Sequence, residues 1–286
     1  MDLIAVDIGN SNIALGVYVD DERKSTRRMS VDQTEPLAET IKEYRQMCGV
    51  QALGAKTVPV VVSSVNPRAQ KILAEAVADI LEQNILLIGR EVPLYIKLSP
   101  AITEPQKIGT DRLLTAGAAF EVVADAVVVA DFGTATTIDC ISQQGIFLGG
   151  AILPGLGLGS RALHEHTELL PEVKPEIAEG NYGISTKTSI QHGLIHGAVG
   201  ALQHLVERYA TALGRWPQLV VTGGYGPLIA AHCDFIDSLA PELCLDGIFL
   251  AYKKHHAVLE EQIADQFEDF QKDYHPDLSE TEEQSR

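Results

Sequence analysis

Two turns of nearly the same composition recur in the chain, each at the end of an apolar strand-like run. They are Asp7-Ile8-Gly9-Asn10-Ser11-Asn12 and Asp131-Phe132-Gly133-Thr134-Ala135-Thr136-Thr137. Consecutive backbone N–H groups in such a turn form a concave nest that binds phosphate oxygens, and glycine permits close backbone approach. An aspartate at the end of the strand is suited to orient a hydrated Mg²⁺ ion.

One such turn by itself is also typical of a plain β-hairpin, because aspartate, glycine and asparagine are ordinary turn residues. The repetition favours phosphate binding, since both the upstream strand and the Asp-x-Gly spacing recur. A third strand-like run ends in Thr222-Gly223-Gly224, where a further turn can contact a nucleoside. We therefore predict a nucleotide site in which two similar turns hold a polyphosphate from both sides.

The segment Gly109-Thr110-Asp111-Arg112 lies where a proline-containing loop leads into a predicted helix. A carboxylate here can accept the proton of a hydroxyl group that attacks a γ-phosphate. The planar fork of Arg112 can bind a carboxylate or a phosphate. The same residues are suited to helix capping, with Thr110 as N-cap and Asp111 in the first turn. The two roles are compatible, so the sequence leaves both open.

The elements that must position these residues repeat along the chain. We predict strands over residues 3–6, 13–19, 28–31, 58–65, 85–88, 126–130, 138–142, 146–153 and 219–221, and helices over residues 35–48, 68–81, 110–123, 156–166, 188–213, 227–232 and 243–267. The fold class is therefore α/β, with two similar lobes that face a cleft. The predicted N-terminal lobe covers residues 1–115 and the C-terminal lobe residues 116–268.

The composition argues against several classes of protein. The longest apolar runs are far too short to cross a bilayer and the N-terminus has no leader pattern, so we expect a soluble, cytoplasmic chain without a membrane partner. The formal net charge of −17 argues against a nucleic-acid partner. The four cysteines lack C-x-x-C spacing, which indicates reduced thiols. Residues 269–286 are acidic and predict a disordered tail.

Five segments together resemble the type III pantothenate kinases, a family of the acetate kinase–sugar kinase–actin ATPase superfamily. They are residues 7–12, 109–112, 131–137, 149–155 and 222–224. The resemblance extends to about residue 260. It implies two ribonuclease H-like lobes of duplicated topology with a nucleotide cleft between them. It also implies transfer of phosphate from ATP, with Mg²⁺, to a hydroxyl of pantothenate, the first step of coenzyme A biosynthesis.

The same resemblance implies roles for single residues. Asp111 is expected to act as the general base, and Asp131 to bind a monovalent cation, K⁺ or NH₄⁺. The expected ATP-binding residues are Asp7, Ile8, Gly9, Asn10, Ser11, Asn12, Ile13, Ala14 and Thr134. The expected pantothenate-binding residues are Gly109, Thr110, Asp111, Arg112 and Thr186. Thr186 is equally suited to an N-cap or loop position. The resemblance further implies a homodimer whose active sites involve both subunits.

The chain departs from the family pattern at two positions. Ile102 and Glu104 stand where the family usually has tyrosine and asparagine, so the usual aromatic substrate contact is missing or replaced. Two other functions therefore stay open: a kinase for another small hydroxylated metabolite, and a non-catalytic nucleotide-binding accessory or regulatory factor.

Overall fold

A computed structural model describes residues 1–49 and 57–274, with side chains to residue 265. The strands are β1 (Leu3–Ile8), β2 (Asn12–Val19), β3 (Glu22–Ser30), β4 (Val60–Ser64), β5 (Leu86–Leu87), β6 (Lys97–Leu98), β7 (Val127–Phe132), β8 (Ala135–Ile141), β9 (Ile146–Pro154), β10 (Gln218–Thr222) and β11 (Ser238–Leu239). The helices are α1 (Pro36–Met47), α2 (Pro67–Leu81), α3 (Thr110–Val123), α4 (Leu156–Glu165), α5 (Thr186–Leu213), α6 (Gly226–Ala230) and α7 (Leu243–Tyr274).

The strands form two sheets with the same topology. The first has the order β3-β2-β1-β4-β5, and the second contains β9-β8-β7-β10-β11 with β6 added beside β9. In each sheet the central strand pairs antiparallel with the hairpin that follows it and parallel with a strand that comes later. The duplicated α/β architecture predicted from the repeated turns is confirmed.

The central strands are apolar on both sides because helices cover both faces of each sheet. On the outer face of the first sheet, Ile41 of α1 and Leu73 of α2 are fully buried. On the outer face of the second sheet, Ile195 and Leu202 of α5 have the same role. Each lobe therefore has its own outer core, and the inner faces of the two sheets are left to be covered by shared helices.

Helix α3 lies between the two sheets and belongs to both cores. Leu114 packs in the cluster that contains Leu3 of β1, whereas the preceding Leu113 packs in the cluster that contains Val127 of β7. Helix α7 adds Ile248 to the first of these clusters. The start of α3 is thereby held between the lobes, which places Asp111 at their junction.

Two elements cross the predicted boundary between residues 1–115 and 116–268. Strand β6 lies in the first range but pairs with β9 of the second sheet. Helix α7 lies in the second range but packs against β1. The two predicted lobes correspond to the two sheets, but the boundary at residue 115 does not separate the elements of one lobe from those of the other.

The predicted disordered tail is wrong for residues 269–274, because α7 continues to Tyr274. Glutamate, glutamine and lysine are good helix formers, so an acidic composition does not stop a helix that is already established. Residues 275–286 lie outside the described residues. Within the described part, no helix is long and apolar enough to span a membrane.

Candidate functional site

The two Asp-x-Gly turns meet at the junction of the lobes. The hydroxyl oxygens of Ser11 and Thr134, one from each turn, are 3.0 Å apart and share a hydrogen bond. Both turns open into one cleft of about 370 Å³. The predicted site residues that line it are Asp7, Gly9, Asn10, Ser11, Asn12, Ala14, Asp111, Asp131 and Thr134.

The two aspartates occupy equivalent positions in their sheets. Asp7 pairs with Ala14 on the antiparallel side and with Ser63 on the parallel side. Asp131 pairs in the same way with Thr137 and Thr222. Each is the penultimate residue of its strand, at the carboxyl end of the parallel strands, which is where α/β sheets bind ligands.

The third predicted turn closes the cleft behind Asp131. Gly223 has φ +89°, and a Cβ atom at this position would overlap the Asp131 carboxylate and the Phe132 backbone. Glycine is therefore required both for the left-handed backbone and for the close approach. Gly223 and Gly224 line the cleft together with the phosphate turns, as the sequence predicted.

Asp111 reaches the same cleft from the first turn of α3. Its Oδ1 accepts a 2.9 Å hydrogen bond from the backbone N–H of Arg112. The carboxylate lies so close over Gly109 that a side chain there would overlap it. A helix N-terminus carries a partial positive charge, which favours an anion at this position.

The predicted N-cap role of Thr110 is wrong. The helix begins at Thr110, and the N-cap position belongs to Gly109, which has no capping side chain. The Thr110 hydroxyl instead forms a 3.1 Å hydrogen bond with Ser63 at the end of β4. This bond fastens the start of α3 to the strand beside Asp7.

The carboxylates of Asp7, Asp111 and Asp131 therefore line the same cleft. Removal from water raises the pKa of Asp7 to about 6, and the Asp111 carboxylate adds to the shift. The same two causes, joined by the charge of Asp7, raise the pKa of Asp131 to about 7. The charge of Arg28 opposes both shifts. Such a cluster is electrostatically incomplete and suited to bind cations.

The carboxylates do not form a metal cage by themselves. Among residues 1–49 and 57–274, no group of three His, Cys, Asp or Glu side chains is arranged to hold a metal ion. A cation at Asp7 or Asp131 therefore needs further oxygen ligands. Mg²⁺ commonly takes these from water and from substrate phosphates, so the donor set fits a metal that enters with a nucleotide.

Arg112 is held by a residue that the motif analysis missed. Its Nε donates to Asp139 Oδ2 at 3.0 Å, its Nη2 also donates to this carboxylate, and its guanidinium lies 5.7 Å from the centre of the Phe147 ring. Asp139 is fully buried in β8, where burial raises its pKa and the pair with Arg112 opposes that shift. An aspartate within the apolar run 138–141 is the sequence signal that could have identified Asp139.

Several predicted site residues lie away from the cleft. The side chains of Ile8 and Ile13 pair across the first hairpin and are fully buried in the core beneath it. Their side chains face away from the cleft because strand residues alternate between faces, and their role as ATP-binding residues stays a prediction. Gly109, Thr110 and Arg112 lie beside Asp111 but do not line the cleft.

Thr186 lies in a different place from the other predicted substrate residues. It starts α5 behind Ser185, which is the N-cap and forms a capping box with Thr188. Thr186 lines a second, apolar cavity of about 780 Å³ between α4, α5 and strands β8 and β9. Within one chain, therefore, Thr186 does not share the cleft of Asp111.

The two departures from the family pattern have structural roles of their own. Ile102 packs against the apolar cluster that contains Leu113 and Phe147. Glu104 forms a 2.5 Å ion pair with Lys107. Neither side chain lines the phosphate cleft.

Comparison with known proteins identifies the family. The sequence profile of the type III pantothenate kinases matches residues 3–208, most of the chain. The chain belongs to the type III pantothenate kinase family. Its relatives include the type III pantothenate kinase of Moorella thermoacetica, 33% identical over 254 residues, which cover 88% of this chain and 99% of the relative. That of Anaeromyxobacter sp. is 35% identical over 260 residues, 88% of this chain and 99% of the relative.

Solved structures of other proteins resemble this type III pantothenate kinase family member in fold. A Campylobacter jejuni protein described as a Baf family transcriptional activator has a TM-score of 0.58 at 20% identity, covering 89% of this chain and 100% of that one. The activator of 2-hydroxyisocaproyl-CoA dehydratase from Clostridium difficile, solved with ADPNP, has a TM-score of 0.51 at 12% identity, covering 91% and 98%. The two-lobed fold is thus shared beyond the family.

The raised pKa of Asp131 predicts how the stability of the protein depends on pH. A carboxyl group whose pKa is about 7 when folded and near 3.8 when unfolded takes up a proton on folding between these pH values, so its contribution to stability falls as pH rises through that window. Asp131→Asn stays neutral and escapes this loss. We expect the variant to melt several degrees above wild type at pH 8 without nucleotide or potassium.

The measurement is thermal unfolding at pH 8 and at pH 5. The advantage of Asp131→Asn should shrink at pH 5, where the wild-type carboxyl group is already protonated. Asp79→Asn, on the exposed face of α2, is the matched control and should show no such difference. Equal melting temperatures for wild type and Asp131→Asn at pH 8 would contradict the predicted repulsion.

Proposed function

We propose that this chain phosphorylates the primary hydroxyl group of pantothenate with ATP, the first step of coenzyme A biosynthesis. The observation that carries the proposal is the 3.0 Å contact between Ser11 and Thr134, which joins the two phosphate turns around a cleft that also contains Asp111. Relatives named as type III pantothenate kinases match this chain over almost their entire length. Such a reaction belongs in the cytoplasm, where ATP is available.

Phosphoryl transfer needs positioning and charge neutralisation more than covalent chemistry. In this proposal the backbone of both turns holds the ATP phosphates, and Ser11 and Thr134 donate hydroxyl hydrogen bonds to them. Asp111 accepts the proton of the attacking hydroxyl group. Its place in the first turn of α3 directs the carboxylate at the cleft.

Cations complete the charge balance of the cleft. Asp7 would hold Mg²⁺ through water and phosphate oxygens, and Asp131 would hold K⁺ or NH₄⁺ beside the phosphates. The bound cations would offset the charge of the polyphosphate. Burial in the cleft, together with the charges of neighbouring aspartates, raises the pKa of Asp7 and of Asp131, and a bound cation would oppose both effects, which supports this assignment.

Arg112 is the proposed contact for the pantothenate carboxylate. Asp139 takes the Nε and Nη2 donors of the guanidinium, and Nη1, which makes no hydrogen bond among the described residues, would form charge-assisted bonds with substrate. Gly109 and Thr110 lie beside it and would line the same substrate site. Because Ile102 replaces the usual aromatic residue, a kinase for another hydroxylated metabolite is the second candidate.

A second copy of the chain is the proposed partner. A group of large apolar side chains is exposed between β9 and α5: Leu148, Ile152, Leu158, Leu163, Leu169, Ile177, Tyr182 and Ile184. Gly193 and Gly197 of α5 are exposed as well, and they line the apolar cavity together with Leu163. Surfaces of this kind mark protein interfaces. In a homodimer, Thr186 of one subunit would come close to the Asp111 cleft of the other.

The direct test of the function is a coupled ADP assay with ATP, Mg²⁺ and pantothenate, in the presence and absence of potassium. We expect phosphorylation of pantothenate that depends on K⁺ or NH₄⁺. A panel of sugars and hydroxy acids serves as the control for substrate choice. Turnover of another acceptor but not of pantothenate would favour the second candidate, and turnover indifferent to monovalent cations would remove the role of Asp131. Nucleotide binding without any turnover would indicate an accessory factor.

Asp111→Asn tests the general base. The amide cannot accept the proton, but it preserves the shape of the side chain over Gly109. We expect kcat to fall by roughly 100-fold or more, the scale of general-base catalysis, with no loss of melting temperature. Asp79→Asn is the control and should retain wild-type kcat. Near-normal turnover by Asp111→Asn would eliminate the proposed base.

Gly197→Arg tests the dimer. A Cβ atom at Gly197 meets no neighbour within 4 Å, so a side chain can leave the helix there without a clash at its first atom. Removing a glycine from a helix interior also favours the helix by up to about 1 kcal/mol. We expect sedimentation to show a dimer for wild type and a folded monomer with little activity for the variant. A fully dimeric, active Gly197→Arg protein would place the interface elsewhere.

A further inference from the structure

One row of paired residues crosses the first sheet at the edge of the cleft. Arg28 of β3 pairs with Ala14 of β2, and Ala14 pairs with Asp7 of β1. Directly paired residues in neighbouring strands project their side chains from the same face. Arg28 and Asp7 therefore face the same space, about 10 Å apart along the sheet, with only the methyl group of Ala14 between them.

The small side chain of Ala14 leaves the guanidinium of Arg28 a path toward the phosphate turns. Arg28 lines the cleft, and its Nη2 donates to the backbone oxygen of Pro241 at 2.7 Å and to Glu242 Oε2 at 2.8 Å. Its Nε and Nη1 make no hydrogen bond within the described part of the chain. The guanidinium of Arg28 is thus held through Nη2, and its Nε and Nη1 can donate to a ligand.

Charge balance requires a cation at this place. Asp7, Asp111 and Asp131 line the cleft, and ATP adds a polyphosphate anion. Among the described residues, two basic side chains line the cleft, Arg28 and the exposed Arg161 at its rim.

We propose that Arg28 is a further catalytic residue, which binds the terminal phosphoryl group of ATP and stabilises its charge during transfer, while Glu242 holds the guanidinium at the cleft beforehand. This inference rests on the proposed function. In the step, the acceptor oxygen bonds to the γ-phosphorus, the bond from that phosphorus to the β,γ-bridging oxygen breaks, ADP leaves, and the acceptor proton passes to Asp111. Arg28 supplies charge-assisted hydrogen bonds and exchanges no atoms.

The test compares two nucleotides that differ in the terminal phosphate. Calorimetry with Mg²⁺ gives the affinities of wild type and Arg28→Gln for ADP and for the non-hydrolysable ADPNP. We expect Arg28→Gln to bind ADPNP at least roughly 10-fold more weakly and ADP within about twofold of wild type. Turnover should fall by about 100-fold or more, and Arg28→Lys should recover part of both losses.

Arg27→Gln is the matched control. Arg27 precedes Arg28 in β3 and faces α1 instead of the cleft. There it forms an ion pair with Glu43 at 3.0 Å and donates a hydrogen bond to Thr40 at 3.0 Å. It should leave turnover and both affinities unchanged, although its unfolding temperature can fall slightly. Any change in nucleotide affinity in this variant would show that a loss in Arg28→Gln comes from damage to β3.

Two results would overturn the inference. One is equal weakening of ADP and ADPNP in Arg28→Gln. The other is unchanged affinity of Arg28→Gln for both nucleotides, together with an equal loss of melting temperature in Arg28→Gln and Glu242→Gln. That result would give the pair only a structural role, as a link between β3 and the turn that precedes α7. A wild-type protein that binds ADPNP but leaves pantothenate unphosphorylated would contradict the proposed function instead, and the nucleotide comparison would still decide the role of Arg28.

Discussion

The repulsion among Asp7, Asp111 and Asp131 is the constraint on which the site depends. Folding brings three carboxylates into one enclosed cleft and raises the pKa of two of them. This arrangement opposes folding unless cations or protons balance it. The surrounding apolar cores supply the stability that allows the repulsion to persist, and in the proposed function a cation-bound polyphosphate offsets it.

The architecture that enforces this convergence is a helix shared between two lobes. Helix α3 contributes adjacent leucines to the inner cores of both sheets, and Thr110 is tied to the strand beside Asp7. A movement of one sheet relative to the other would therefore displace the start of α3. The position of Asp111, the proposed general base, therefore depends on both lobes at once.

Much of the fold could be predicted because its signals are local. Apolar runs, helical spacing and the repeated Asp-x-Gly turns predicted the duplicated sheets and most element bounds. Local signals failed where burial or hydrogen bonding came from a distant segment. Thr110, for example, hydrogen-bonds to Ser63 of β4 instead of capping its own helix.

By itself the sequence determined which residues carry chemistry: two phosphate turns, an acid before a helix and an arginine next to it. Only the tertiary structure decided which of them act together. It brought Ser11 to Thr134, set Asp139 under Arg112 and directed Arg28 across Ala14 toward Asp7. The reason is physical: a residue's chemical type is covalent and local, whereas its charge environment depends on contacts between segments far apart in the chain.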